Sequence, residues 1–168
     1  MVIANLAILT FAFLMLIAAW TDVMKFTIPN WIPAVLIAAW AVSAPFLGLS
    51  WSEAGLSGVV FAVTLGLGMA LWAPGWLGGG DVKLIAAGAL WFGWPDVMVF
   101  VLGAALAGGI LAVALLALRR VVPVLPLSPE VIGKTALADG APAPYAVAIA
   151  AGALFALPQS AIFAAYVG

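Results

Sequence analysis

Two aspartates, Asp22 and Asp81, are the residues of this sequence best placed to do chemistry together. Asp22 lies in the stretch WTDVMKFTIPN at the end of the first apolar run, and Asp81 follows three glycines in WLGGGDVKL. Two carboxyl groups a few ångströms apart cannot both ionise easily, so they share one proton. Such a pair activates water with one member and protonates a departing amine with the other. The aspartates therefore predict hydrolysis of a peptide bond.

The three glycines before Asp81, which are Gly78, Gly79 and Gly80, predict an unusual backbone. Glycine adopts conformations that other residues avoid, and it lets a substrate strand lie close to the main chain. Unwound backbone at membrane depth is tolerated only where it is buried in protein or faces water. We expect the glycines to form the active-site backbone beside Asp81.

The composition is that of an integral membrane protein. Of the 168 residues, 68% are hydrophobic and only 7% are charged, which is too little polar surface for a soluble domain of this size. The chain has no histidine and no cysteine, which excludes Ser–His–Asp and Cys–His nucleophiles, His-based zinc proteases, thiolate metal sites and disulfides. The five basic residues form no patch, so we expect no nucleic-acid partner.

Long apolar runs predict an all-α, polytopic fold with about six transmembrane helices. The runs cover residues 1–20, 31–49, 54–72, 82–94, 97–118 and 145–167. The first is expected to be a retained span, because no basic residue precedes it and no small-x-small cleavage site follows it. The fourth rises only about 20 Å as a helix, so it must begin inside the glycine segment, let Lys83 snorkel, or sit in thinned bilayer.

The positions of the basic residues predict the orientation of the chain. They follow the first, third and fifth predicted spans: Lys25, Lys83, Arg119, Arg120 and Lys134. The positive-inside rule assigns this face, with the loop 119–144, to the cytoplasm and both termini to the other side. Two spans, an even number, separate Asp22 from Asp81. Both carboxyl groups are therefore expected at the same leaflet.

The remaining acidic residues form no comparable pair. Glu53 and Asp96 lie in turns of the opposite face, where solvated loop residues are common. Glu130 and Asp139 lie in the Pro-rich loop, and Glu130 is spaced to pair with Lys134.

The helix termini give a hypothesis for the roles of the two aspartates. Asp22 stands at a helix C-terminus, where the helix dipole disfavours negative charge, and Asp81 stands at an N-terminus, where the dipole favours it. On this basis Asp81 is expected to be the more acidic member, with Asp22 holding the shared proton.

Three short stretches carry a family resemblance: Gly78-Gly79-Gly80-Asp81 with Val82-Lys83-Leu84, Asp22 with Lys25 and Ile28-Pro29-Asn30, and Pro144-Tyr145-Ala146 at the start of the last span. In this order and spacing they resemble the type IV prepilin peptidases. The resemblance implies a membrane aspartic endopeptidase that cuts the short basic leader from pilin precursors at the cytoplasmic membrane face. The cut would fall just before the hydrophobic pilin helix.

By the same resemblance Asp22 and Asp81 would be the catalytic pair. Lys25, Lys83, Pro144 and Tyr145 would support the site. Lys83 is two residues past Asp81, so on a regular helix it points roughly away from it, and headgroup snorkelling is its expected role. Pro144 and Tyr145 are expected to start a helix and to anchor it at the interface.

The sequence departs from the larger, bifunctional members of the family, which carry an added cytoplasmic region with zinc-binding cysteines and methylate the new terminus. Here the first cytoplasmic turn has about ten residues and no cysteine. We therefore expect one peptidase domain over residues 1–168, without a methyltransferase domain, cofactor or metal. The compact form resembles the peptidases that serve Flp or tight-adherence pili. This implies a bacterial inner membrane, with pilin precursors and the bilayer as partners.

Other classes of protein fit parts of the sequence. A lipoprotein signal peptidase has a similar size, but it places its aspartates toward the outer face and has Asn-rich motifs that this chain lacks. A small proton-coupled transporter would use Asp22 and Asp81 as a relay, yet both are expected in one leaflet and no inverted repeat is apparent. A noncatalytic assembly subunit is a third reading.

Overall fold

A computed structural model describes residues 2–122, 132–133, 135–138, 140–160 and 163. Every regular element in this part of the chain is helical, which confirms the predicted all-α class. The described residues form six α-helices: α1 Val2–Lys25, α2 Trp31–Ser43, α3 Trp51–Trp72, α4 Gly79–Phe92, α5 Val97–Val121 and α6 Tyr145–Ala156. Short 3-10 turns follow α2 at Ala44–Phe46 and α6 at Leu157–Gln159.

Helix α1 extends five residues beyond the predicted end of the first span, so Asp22 lies within its last turn rather than after it. The helix stops because Phe26 adopts a left-handed conformation, with φ of 51°. The N–H of Phe26 donates to the carbonyl oxygen of Asp22 at 2.8 Å and closes this last turn. Lys25, also in the last turn, interacts favourably with the negative end of the helix dipole.

Helix α3 begins at Trp51, three residues before the predicted run, because a capping box starts it. The N–H of Glu53 donates to Oγ of Ser50 at 3.3 Å, and the N–H of Ser50 donates to Oε2 of Glu53 at 2.8 Å. This reciprocal arrangement satisfies two N–H groups that a helix start otherwise leaves free. Glu53 is exposed to solvent, as expected, but it lies in the first turn of α3 as part of the capping box and not in the preceding loop.

Helix α5 continues to Val121, so the loop predicted at 119–144 begins three residues later and both arginines belong to the last helical turn. Arg119 holds the segment that precedes α6, since its guanidinium donates to the carbonyl oxygens of Ala136 at 2.9 Å and Ala141 at 2.6 Å. The predicted Glu130–Lys134 pair and Asp139 lie outside the described residues.

In the part of the chain that the structure describes, three helices are long and apolar enough to cross a bilayer: residues Asn5–Lys25, Trp51–Trp72 and Val97–Val121. Two shorter apolar helices cover Trp31–Phe46 and Tyr145–Gln159. This pattern fits a multi-pass helical membrane protein, while the number of spans and the side of the termini stay predictions. Helix α4 begins inside the glycine segment at Gly79, which is the first of the three solutions expected for the short fourth run.

Helix α6 packs between α1 and α5, and seven of its twelve residues are buried. Its small side chains allow this close approach. A Cβ atom added at Gly152 would lie 2.6 Å from Cα of Ala104, and one added at Gly103 would lie 3.3 Å from Cα of Gly152. Glycine at these positions lets the backbones of α5 and α6 touch.

A cluster of aromatic rings joins α1, α4 and α5. Phe11 contacts Trp91 and Phe92 with ring centroids 5.2 and 5.6 Å apart, and Phe92 stacks on Phe100 at 5.0 Å. The indole N–H of Trp91 donates to the carbonyl oxygen of Leu36 at 2.9 Å, which ties α4 to α2. This buried cluster fixes the helices whose ends carry the two aspartates.

Candidate active site

Asp22 and Asp81 line a single cavity of about 240 Å³. The C-terminal end of α1, the turn after it and the N-terminal end of α4 form its walls. Its other lining residues are Phe26, Thr27, Ile28, Asn30, Gly78, Gly79 and Gly80. The structure thus brings together the two carboxyl groups, from separate helices, that sequence analysis paired. Two carboxyl groups in one small cavity are what a shared-proton hydrolytic pair requires.

Asp22 is buried, with 7% of its surface exposed, and its carboxylate has a backbone partner. The N–H of Ala146 donates to Oδ2 of Asp22 at 2.9 Å. Ala146 is the second residue of α6, so the positive end of that helix dipole faces the carboxylate as well. Burial disfavours the charged form of Asp22, and these two contacts offset part of that cost.

Asp81 is the third residue of α4, and its carboxyl group bends back toward the N-terminus of its own helix. It accepts a hydrogen bond from the backbone N–H of Gly78, the N-cap residue. Asp81 precedes the predicted fourth span, residues 82–94, and α4 is not among the described helices that are long and apolar enough to cross a bilayer. Burial, and then the nearby charge of Asp22, raise the pKa of Asp81 to about 6. This direction opposes the hypothesis from the helix dipole, because desolvation and the second carboxylate outweigh the dipole.

The glycines serve close packing more than an unwound backbone, since Gly79 and Gly80 already belong to α4. A Cβ atom added at Gly78 would lie 2.6 Å from Oδ2 of Asp81. One at Gly80 would lie 3.1 Å from Cβ of Ile28, and one at Gly79 would lie 3.4 Å from Nε1 of Trp72. Gly78 therefore makes room for the Asp81 carboxyl, and Gly80 makes room for the turn after α1.

The two lysines differ in their surroundings. Lys83 donates from Nζ to Oδ1 of Asn30 at 2.8 Å, so its side chain reaches across to the turn before α2. Both side chains are exposed, and the headgroup snorkelling expected of Lys83 stays a prediction. Lys25 is exposed in the last turn of α1 and is not among the residues that line the cavity.

Pro144 and Tyr145 do start a helix, as predicted, and neither lines the cavity. The ring of Tyr145 covers Gly108 of α5, where an added Cβ would lie 3.1 Å from it. The residue that reaches the site is the neighbour that sequence analysis did not assign, Ala146. The predicted helix start at Pro144 was the available indication, because N–H groups in the first helical turn have no partner within the helix.

A second, apolar groove lies beside the cavity. Its volume is about 540 Å³, and it runs between α3 and α5 over α4. At one end it is lined by Leu77 and Val82, the residues that directly flank Gly78–Asp81, and at the other by Leu56 and Trp94. Among the described residues, no group of three or more acidic side chains comes together as a metal site would require.

The fold and the cavity define a class of protein: a helical membrane protein in which two helices present carboxyl groups to one polar cavity. A family model described as the type IV leader peptidase family matches residues 9–113, more than half of the chain, and the protein belongs to that family. The resemblance to the prepilin peptidases is confirmed, and membership implies a protease. The match includes both aspartates and the glycines, and it ends before Pro144 and Tyr145. Searches of curated proteins and of solved structures found no match.

Proposed function

We propose that this protein is an aspartic endopeptidase that removes the short basic leader from type IV or Flp-like pilin precursors. Its catalytic pair is Asp22 and Asp81. The observation that carries the proposal is that these two carboxyl groups, from α1 and α4, line one cavity inside the region that matches the leader peptidase family.

The surroundings of the two carboxyl groups support distinct roles. Asp22 acts as the carboxylate, because the N–H of Ala146 offsets part of the cost of burying its charge, and Asp81 holds the shared proton. Asp22 takes a proton from water as the water oxygen attacks the peptide carbon, and Asp81 gives its proton to the carbonyl oxygen. When the tetrahedral intermediate collapses, the C–N bond breaks and Asp22 passes its proton to the amine nitrogen. Asp81 recovers a proton from the new carboxyl group.

The apolar groove supports a substrate that is apolar on one side of the scissile bond. A precursor of the proposed kind continues from the cut into a hydrophobic helix. The groove begins at Leu77 and Val82, next to Asp81, and its lining is mostly apolar. Helix α3 forms one wall and is mostly unburied in the bundle, so the groove opens sideways. We place the hydrophobic segment of the precursor there.

The charges near the cavity support a cytoplasmic site in a bacterial inner membrane. Lys25 ends α1, Lys83 reaches the turn after it, and Arg119 is bonded to the segment that leads into α6. The N-terminus of α6 in turn contacts Asp22. Basic residues at the end of the bundle that carries the carboxyl groups are what the positive-inside rule expects of a cytoplasmic face.

Cleavage of a pilin precursor by the purified protein in detergent tests the proposal. We expect one specific cut in the wild type, and Asp22→Asn and Asp81→Asn each to lower its rate at least about 1,000-fold. Asp96→Asn is the matched control, because it removes a carboxylate at the start of α5, away from the residues that line the cavity. Cleavage that survives in either catalytic-pair variant would exclude this mechanism.

A further inference from the structure

The turn between α1 and α2, residues Phe26–Asn30, forms one wall of the carboxylate cavity. Four of its residues line that cavity: Phe26, Thr27, Ile28 and Asn30. The turn starts directly after the last turn of α1, because the N–H of Phe26 is bonded to the carbonyl of Asp22. A displacement of the turn therefore moves the end of α1 that carries Asp22.

Two contacts hold this turn on α4, one on each side of Asp81 along the helix. Ile28 packs on Gly80, where only the absence of a Cβ leaves room for it. Three residues later, Lys83 donates from Nζ to Oδ1 of Asn30 at 2.8 Å. Residues three apart on a helix share a face, so the turn packs on one face of α4, its seat, at both Gly80 and Lys83.

Elsewhere α1 and α4 meet deeper in the bundle. Met15 lies against Gly88, where an added Cβ would be 3.1 Å from its methyl carbon, and Phe11 contacts Trp91. Met15 and Gly88 are each seven residues from the nearer aspartate, which is about 10 Å along a helix. Near the carboxyl groups, the turn links the end of α1 to α4 through Ile28 and Asn30.

We propose that Lys83 and Asn30 are positioning residues: their hydrogen bond seats the turn on α4 and holds the carboxyl groups of Asp22 and Asp81 at the separation the reaction needs. The effect on catalysis rests on the proposed function, whereas the attachment of the turn to α4 does not. Because Lys83 is not among the residues that line the cavity, its loss acts on the carboxyl pair and not on substrate contacts.

Two variants and their combination test the proposal. Lys83→Met removes the donor, and Asn30→Leu removes the acceptor without changing charge. Each is expected to lower kcat about threefold to tenfold, with KM changed less than about twofold for Lys83→Met. The double variant is expected to be no slower than the worse single variant, because both break one interaction. Lys83→Arg keeps a donor and is expected to retain most of the activity.

Arg120→Met is the matched control for lost positive charge, since Arg120 is an exposed residue in the last turn of α5. Losses that multiply in the double variant, or an equal loss in Arg120→Met, would overturn the proposal.

Hydrogen–deuterium exchange of the amides in residues 26–32 provides a readout that needs no cleavage. We expect faster exchange in Lys83→Met and Asn30→Leu than in wild type and Arg120→Met, because the turn leaves its seat more often. Unchanged exchange would refute the seating of the turn. If the wild type cleaves no precursor, the proposed function fails, yet the exchange measurement still decides whether this pair holds the turn.

Discussion

The backbone N–H of Ala146 donates a 2.9 Å hydrogen bond to Oδ2 of Asp22, which lies 124 residues earlier in the chain. This bond joins the end of α1 to the start of α6 and gives Asp22 a partner that cannot lose a proton. Among the described residues, no backbone N–H from another helix donates to Asp81. Its partner is the N–H of Gly78, at the start of its own helix. The proposed roles, with Asp22 as the carboxylate and Asp81 as the holder of the shared proton, follow this difference.

This assignment predicts the pH dependence of cleavage. Burial and the Asp22 charge raise the pKa of Asp81 from its ordinary value of 3.8 to about 6. A raised pKa means that Asp81 keeps its proton below about pH 6 and loses it above. The form with one proton on the pair is the active one, so kcat is expected to fall as pH rises through this range. Rates of precursor cleavage measured from pH 4 to 8 show whether kcat falls in this way. A kcat that rises steadily across this interval would contradict the assignment of the shared proton to Asp81.

The contact between Gly78 and Asp81 predicts a strong effect from a single methyl group. A Cβ at residue 78 would lie 2.6 Å from Oδ2 of Asp81, so Gly78→Ala must displace the catalytic carboxyl. We expect about a 100-fold loss of kcat with little change in the melting temperature, since the carboxyl moves into the cavity and not into packed core. Gly109→Ala is the control, because nothing lies within 4 Å of a Cβ there. Normal activity of Gly78→Ala would show that the carboxyl position is not critical.

The close approach of α5 and α6 predicts where a methyl group costs stability. At Gly152 the added Cβ would overlap the backbone of Ala104, and backbone cannot move aside as a side chain can. We expect Gly152→Ala to lower the free energy of unfolding by about 1–3 kcal/mol. Gly66→Ala, on the exposed side of α3 with open space around it, is expected to be neutral or slightly stabilising. Thermal unfolding in one detergent compares the two variants. Equal melting temperatures would mean that α5 and α6 do not pack as closely as the structure shows.

Much of this site follows from the sequence alone, because apolar run length and the positions of charges are one-dimensional information. An even number of spans between Asp22 and Asp81 was sufficient to place both at one end of the bundle. The capping box of Ser50 and Glu53 was readable too, since serine followed three residues later by glutamate is its ordinary pattern. It was missed because the apolar run, and not the cap, was used to start the helix.

Other features depend on how helices pack, which no local pattern encodes. The donor to Asp22 is the backbone N–H of Ala146, a group that every residue except proline has. The residue type at this position therefore does not reveal the hydrogen bond. The reach of Lys83 to Asn30 depends on the crossing of α4 with the turn, and regular helix geometry predicted only that Lys83 points away from Asp81. The rise in the pKa of Asp81 likewise depends on burial, and the helix dipole alone gave the opposite direction.

The groove between α3 and α5 predicts a selective effect on substrates with an apolar segment. Leu67→Trp places a larger ring in the groove, at a side chain that is 64% exposed in the bundle. KM for a full precursor is expected to rise about tenfold, while a short peptide that ends soon after the cut keeps its kcat/KM, because it has no segment to dock. Leu102→Trp is the matched control, since Leu102 is 57% exposed on α5 and lies outside the lining of the groove. An equal loss with both substrates would instead mean that the tryptophan disturbs the carboxyl groups, and the hydrophobic segment would then have to dock elsewhere.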